Sequence, residues 1–205
     1  MDMPASVASR VDRARAVFER SGGLLRMADA IRSGIHRATL REMVEQGELE
    51  RVSRGLYQLV DAEPPYPDLT IVAAKIPEGV ICLLSALAFH ELTTQVPHEV
   101  YVAIDRNAKP PRIDYPPVRA FRFSGQAFTT GIETHKVGPV PLRLYSPAKT
   151  VADCFKYRNK LGLDVAIEAL RDCLHQRKAT VDQLWEAAKA CRMTQVMRPY
   201  LEAMV

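Results

Sequence analysis

Residues 21–60 read SGGLLRMADAIRSGIHRATLREMVEQGELERVSRGLYQLV. Ala28, Ile31, Ile35, Leu40, Val44 and Leu49 supply apolar positions at helical spacing, interrupted once at Ser33-Gly34. Two short helices meeting at a glycine are the pattern of a helix-turn-helix. The second helix, from about His36 to Gln46, turns Leu40, Met43 and Val44 inward and leaves His36, Arg37, Thr39 and Arg41 outward or near its amino end. Gly47 stops it. ELERVSRGLYQLV then reads as strand, turn and strand, because Gly55 in Ser53-Arg54-Gly55 can take the positive φ of a tight hairpin. Arg51, Ser53 and Arg54 lie on or beside that hairpin. With a further helix upstream, the first sixty residues have the layout of a winged helix-turn-helix, a module that reads DNA.

Charge leaves that function open. Residues 1–60 carry ten arginines, no lysine and eight acidic groups, a modest excess beside the basic footprint of a strong nonspecific binder. Placement speaks for DNA. Arg10, Arg13, Arg15 and Arg20 fall on the first helix, Arg37 and Arg41 on the third, Arg51 and Arg54 at the wing. Forked guanidinium groups suit guanine edges and phosphates. The competing reading is a small helical bundle with a hairpin and no nucleic-acid role.

A chain of 205 residues with 47% hydrophobic content can build one large core or two small ones. The longest apolar-rich window, GVICLLSALAFHEL, is broken by Ser85, His90 and Glu91, short of the unbroken span of about 18 apolar residues a membrane helix needs. The N-terminal stretch lacks the basic-then-apolar order of a secretion signal, and a cytoplasmic location is expected. Cys82, Cys154, Cys173 and Cys191 occur singly without a C-x-x-C pair, which predicts buried reduced thiols and no zinc site. No cofactor is expected.

VDAEPPYPDL, with three prolines and three acids, marks a boundary: the winged domain is expected over 1–60, a linker over 61–67 and a second domain over 68–205. In that second domain DLTIVAAKI and ICLLSALAFHEL read as helices. HEVYVAID, VRAFRF, GIETHKV and VPLRLY read as strands between Pro- or Gly-containing turns. The last sixty residues return to helix, so the chain as a whole is α/β in the α+β sense and ends in a helical bundle. Its first C-terminal helix starts with Ser146 as N-cap and Pro147 as first residue. Val151, Cys154 and Phe155 form its apolar stripe. Lys149 and Asp153, four apart, can pair on the other face, followed by Lys156, Tyr157 and Lys160, and a solvated face is the expected setting.

Residues 61–105 hold one lysine and seven acids, whereas residues 106–160 hold eleven basic and three acidic groups. Arg106, Lys109, Arg112, Arg119, Arg122, Lys136 and Arg143, interleaved with Tyr115, Phe121 and Phe123, form a candidate basic face for nucleic acid. The period of two favours the plainer reading, with Phe121 and Phe123 in the core and Arg119 and Arg122 solvating the other side. Glu91, Glu99, Asp105, Asp114, Glu133 and Asp153 raise an alternative, a metal-dependent nuclease or other nucleic-acid-processing enzyme with an N-terminal DNA-binding domain. The spacing of Asp105 and Lys109 is wrong for a tight nuclease motif, since Pro-Pro follows the lysine. Leu163, Ile167, Leu170 and Leu174, with Leu184, Trp185 and Ala188, make apolar stripes that core packing explains more economically than a dimer seam.

The succession ERVSRGLYQL, ICLLSALAFHELTTQVPHEVYVAIDRNAKPP and GIETHKVGPVPLRLYSPAKTVADCFKYRNKLGLDVAIEALRDCL resembles, in order and over nearly the whole chain, the type IV abortive-infection antitoxins, the AbiEi-like transcriptional regulators of bacteria. SALAFHELT, YSPAKTVADCFKYR and SRGLYQL are its most specific parts. The resemblance implies a non-enzymatic, cytoplasmic antitoxin and autorepressor. Its winged domain would bind inverted repeats in double-stranded promoter DNA, with two copies pairing on the DNA. Its C-terminal domain would counter a nucleotidyltransferase-like toxin without a stable complex. Carried onto this chain, DNA contact falls on Arg37, Thr39 and Arg41, with His36 at the helix start, and on Arg51, Ser53 and Arg54. Antitoxin function falls on Lys149, Thr150, Asp153, Lys156, Tyr157 and Arg158, with no metal and no membrane involved.

Overall fold

The computed structural model describes residues 9–63, 65–109, 112–137 and 140–204. The chain divides into two compact units, Met1–Ala74 with Lys136–Pro141, and Lys75–His135 with Leu142–Val205.

The first unit begins with helix α1 (Arg10–Arg20), closed by a capping box in which Ser9 and Asp12 satisfy each other's backbone N–H. Strand β1 (Leu24–Arg26), helices α2 (Met27–Arg32) and α3 (Arg37–Glu45), and strands β2 (Leu49–Ser53) and β3 (Leu56–Leu59) follow. The strands make an antiparallel sheet in the order β1-β3-β2. This is a winged helix-turn-helix, with α2 and α3 joined through Gly34 at φ +87° and the wing turned at Gly55 with φ +76°. The N–H of Met27 donates to the Gly55 carbonyl at 2.8 Å, tying the wing tip to the start of α2. Helix α4 (Pro67–Lys75) comes next in the chain.

Two details of this unit differ from the sequence reading. Leu24-Leu25-Arg26 is a strand, not part of a helical run, and it fixes the phase of α2 so that Ala30 faces the core while Ala28 and Ile31 are exposed. On α3, Leu40 and Met43 are buried with Thr39, and Val44 is turned out to 36% exposure. The core joins Ala14 and Phe18 of α1 to Ala30, Ile35, Leu40, Met43, Leu49 and Leu59. A second small cluster joins Leu24, Leu56 and Ile71 to Val140.

The second unit is built on a five-stranded sheet in the order β6-β5-β4-β8-β7. Its strands are β4 (Val80–Ile81), β5 (Val100–Asp105), β6 (Val118–Phe123), β7 (Ile132–Val137) and β8 (Val140–Tyr145). β4 pairs antiparallel with β5 and parallel with β8, and β5 pairs parallel with β6. Helices α5 (Leu83–Phe89) and α6 (Gln126–Thr129) lie between strands. α7 (Pro147–Lys156), α8 (Arg158–Leu161), α9 (Leu163–His175), α10 (Val181–Cys191) and α11 (Thr194–Met204) complete the chain. The four strands read from sequence are present; the central β4, two residues long, hides at the start of the apolar run read as one helix.

Helix α7 organises this unit. It packs against α5, α9 and α10, and every residue from Ala148 to Phe155 is buried. A helix enclosed on all sides has no solvated face, so the surface setting expected for Lys149 and Asp153 is overturned. Phe121 and Phe123 are in the core and Arg122, of opposite parity, is exposed on the other side; Arg119, two before Phe121, shares the face of the two rings and lies exposed over Tyr101 and Phe121, which corrects the reading that set it opposite them. All four cysteines are buried and unpaired. Among the described residues, no helix is long and apolar enough to cross a membrane.

Candidate nucleic-acid interface

Two grooves flank α3, and the residues singled out in the sequence divide between them. The first, of about 400 Å³, lies between α3 and the wing. Arg37 and Arg41, one helical turn apart, and Arg51 of β2 converge there, with Tyr57 of β3 beside them and Leu40 and Val44 among its apolar lining; Glu45 is the one carboxylate in the groove. Tyr57 is a residue the sequence reading missed; its place in SRGLYQL, two after the turn glycine, was the available signal. Arg54 is exposed at the wing turn, and Ser53 is half-buried beside it.

The second groove, of about 410 Å³, lies between α1 and the turn that leads into α3. It takes His36 and Thr39, together with Arg10, Arg13, Ser33 and Gly34. Thr39 is only 5% exposed. It sits on the α1 side of α3, so the structure does not place it with Arg37 and Arg41 on the outward face expected of it. The helical phase explains this: Thr39 immediately precedes buried Leu40 and lies four before Met43.

Ion pairing separates arginines that hold the fold from those left available. Arg15 bonds Glu19 at 3.1 Å, lies 3.7 Å from Glu48 and also pairs with Asp61, while Arg32 pairs with Asp29. Arg15 is thereby removed from the DNA-facing set that the first helix suggested. Arg10, Arg13, Arg37, Arg41, Arg51 and Arg54 have no carboxylate partner among the described residues. They are the groups free to meet an external anion.

In the second unit, the six residues of the antitoxin motif also divide. Lys149, Thr150 and Asp153 are inside. Lys149 Nζ donates to Asp153 Oδ2 at 2.6 Å and stands 4.0 Å from the centre of the Tyr145 ring and 5.0 Å from that of Phe123. Asp153 Oδ1 accepts the Cys191 thiol at 3.2 Å, and Thr150 donates to the Tyr145 carbonyl at 3.1 Å. Burial pushes the Asp153 carboxyl above its usual range against the pull of Lys149, and burial lifts the Cys191 thiol to about 12. Lys156 is exposed beyond this cluster, Tyr157 is half-buried, and Arg158 donates to the Phe155 carbonyl at 2.9 Å. Tyr157 stacks on Phe123 and meets Phe121 edge-on, joining a run of rings from Tyr101 to Tyr145.

The basic stretch of residues 106–160 is in part tied up locally. Arg119 bonds Glu99 at 3.2 Å and lies over Tyr101 and Phe121; Arg122 donates to the carbonyls of Arg106 and Ala108; Arg143 bonds the Pro77 carbonyl and Glu78. Asp105 accepts the N–H of Asn107 at 2.8 Å as part of a turn. Among the described residues, no three His, Cys, Asp or Glu side chains gather in a metal-holding group.

Residues 12–60 match the family model described as transcriptional regulator, AbiEi antitoxin. Over these residues the chain is similar to the AbiEi antitoxin regulators. The match covers α1, α2, α3 and the wing, the elements that carry both grooves. The AbiEi description is that of an antitoxin and DNA-binding regulator, in keeping with a winged helix whose free arginines converge at α3. No curated protein matches the chain. The fold as a whole is similar to the crystal structure of the RV2827C protein from Mycobacterium tuberculosis, with a TM-score of 0.61 at 12% identity, covering 94% of this chain and 77% of that one.

Proposed function

We propose that this chain is an antitoxin and transcriptional autorepressor. Its AbiEi domain binds inverted repeats in double-stranded promoter DNA, with two copies paired on the duplex, and its second domain counters a nucleotidyltransferase-like toxin without forming a stable complex. The observation that carries the DNA half is the convergence of Arg37, Arg41 and Arg51, free of carboxylate partners among the described residues, in one groove between α3 and the wing. Arg37 and Arg41 read base edges or phosphates from the groove, and Arg51 and Arg54 follow the backbone beside the wing. The AbiEi description supports the antitoxin half. There the exposed Lys156 and the half-buried Tyr157 and Arg158 are the residues within reach of a partner, and Lys149, Thr150 and Asp153 hold the helix that presents them.

Purified protein is to be titrated onto duplex DNA from upstream of its own gene and onto a shuffled duplex, across a salt series. Preference for the upstream duplex, weakening as salt rises, is the expected result. Arg37→Ala or Arg41→Ala should cost about 1–3 kcal/mol of that binding and leave cells protected when the chain is expressed beside its toxin. Equal affinity for both duplexes rejects the operator reading.

A further inference from the structure

We propose that the groove between α1 and the amino end of α3 is a phosphate-binding site, distinct from the groove that gathers Arg37, Arg41 and Arg51. The duplex as its natural source of phosphate rests on the reading just given; the geometry of the site does not involve the three arginines that carry that reading. Three observations converge on it.

The first is the amino end of α3. Helices α1, α7 and α10 are each closed by an N-cap hydroxyl that accepts the third amide of the helix. α3 enters at His36, whose side chain makes no cap bond, and its first turn holds no acidic residue. Its first internal bond runs from the Leu40 N–H to the His36 carbonyl at 3.2 Å. The N–H groups of Arg37, Ala38 and Thr39 therefore have no acceptor among the described residues, at the positive end of the helix dipole.

The second observation is Thr39. Its side chain is 5% exposed and lines this groove. Its hydroxyl has no hydrogen-bond partner among the described residues, although buried polar side chains elsewhere are bonded: Thr70 to the Tyr66 carbonyl, Thr150 to that of Tyr145, and Ser85 by the Tyr101 N–H. In a residue otherwise covered by protein, the hydroxyl is the part left open, and the groove it lines is where an acceptor can reach it.

The third is the charge of the walls. Arg10 and Arg13, one turn apart on α1, flank the groove opposite His36, and no Asp or Glu lines it. The Thr39 hydroxyl and two guanidinium forks line the groove beside the open amide end of α3, a donor set matched to an oxygen-rich anion and hostile to a cation. A volume of about 410 Å³ gives room for a phosphate and the chain that carries it. Phosphate from a DNA backbone and free phosphate share this chemistry.

Amide spectra of the full chain, recorded with inorganic phosphate and separately with the upstream duplex, test the site. The Ala38 and Thr39 amides should shift with both probes. Thr39→Val, which keeps the shape and removes the hydroxyl, should weaken the phosphate response about tenfold. Replacing Arg10 and Arg13 by Gln should weaken upstream and shuffled duplexes alike and lower the salt slope by about two. Amides that stay still with both probes, while the upstream duplex is bound with preference, overturn the site and leave the operator reading standing. Shifts that these substitutions leave unchanged overturn it as well. Phosphate-driven shifts in a protein without duplex preference keep the site as one for free anions and reject the operator reading instead.

Discussion

Lys149 and Asp153 are bonded at 2.6 Å in a place where neither would stand alone. Both are essentially without solvent contact, and the pair is held by the Cys191 thiol on one side and the Tyr145 and Phe123 rings on the other. Withdrawing one partner from such a setting strands the other, at about 3–5 kcal/mol, whereas an apolar pair of similar volume is close to neutral. Lys149→Met should therefore lower stability by about that amount in urea unfolding, and Lys149→Met with Asp153→Leu should recover most of it. A stranded Asp153 escapes its burial by keeping a proton. Its folded pKa is already pushed upward, so the deficit of the single variant grows as pH rises above the ordinary carboxylate range. Equal losses in the single and double variants would show that Asp153 is not stranded when Lys149 is withdrawn. An i, i+4 Lys–Asp spacing reads in sequence as an exposed helix pair, and nothing at positions 149 and 153 distinguishes the two settings. What does is the enclosure of α7 by α5, α9 and α10, a property of elements far away in the chain. Arg37, Arg41 and Arg51 were legible for the opposite reason: the helix-turn-helix and its hairpin are local, and their geometry follows from spacing within thirty residues.

Helix α5 ends at His90, whose Nε2–H donates to the Tyr145 carbonyl at 2.8 Å. Burial depresses its pKa below 6.5, against an upward pull from that carbonyl and from Glu133; His135 and Lys178 add to the depression. The folded protein thus prefers the neutral ring, and the unfolded chain takes up the proton first. This contribution is fully present above about pH 6.5 and is lost as pH falls from there toward the folded value. Thermal unfolding should show a drop between about pH 7.5 and about pH 5.5 that His90→Gln, which retains a donor to the carbonyl, makes shallower. An unchanged slope in the variant would assign the acid sensitivity to other groups. At the level of elements, long periodic segments such as α9, α10, β5 and β8 were readable from pattern. The strands that escaped, β1 and β4, are three and two residues long, and the missed helix α6 four, too short to show a period. The two strands are settled by others that come later in the chain to pair with them. β4 is the more consequential loss, since it sits at the middle of the sheet and joins β5 to β8.

At the scale of the molecule, the first unit is made of two separate stretches of chain, Met1–Ala74 and Lys136–Pro141. Val140 is 1% exposed and packs with Leu24, Leu56 and Ile71, so the sheet of the winged domain is sealed in part by a residue remote in sequence. Val140→Ala should cost about 1–3 kcal/mol and lower amide-exchange protection in β1 and β3 while leaving α9 unaffected. Protection lost in α9 and kept in β1 and β3 would refute that assignment. The hydrophobic period of the first sixty residues carries no sign of the Lys136–Pro141 segment, because VGPVP has only turn chemistry. That arrangement sets a schedule for the newborn protein. Leu24, Leu56 and Ile71 emerge from the ribosome in turn, and the residue that closes over them follows roughly 70 positions after the last of them, several seconds at ordinary rates of translation. A nascent winged helix waits through that interval with part of its core uncovered, and a chain truncated before residue 140 never receives the cover.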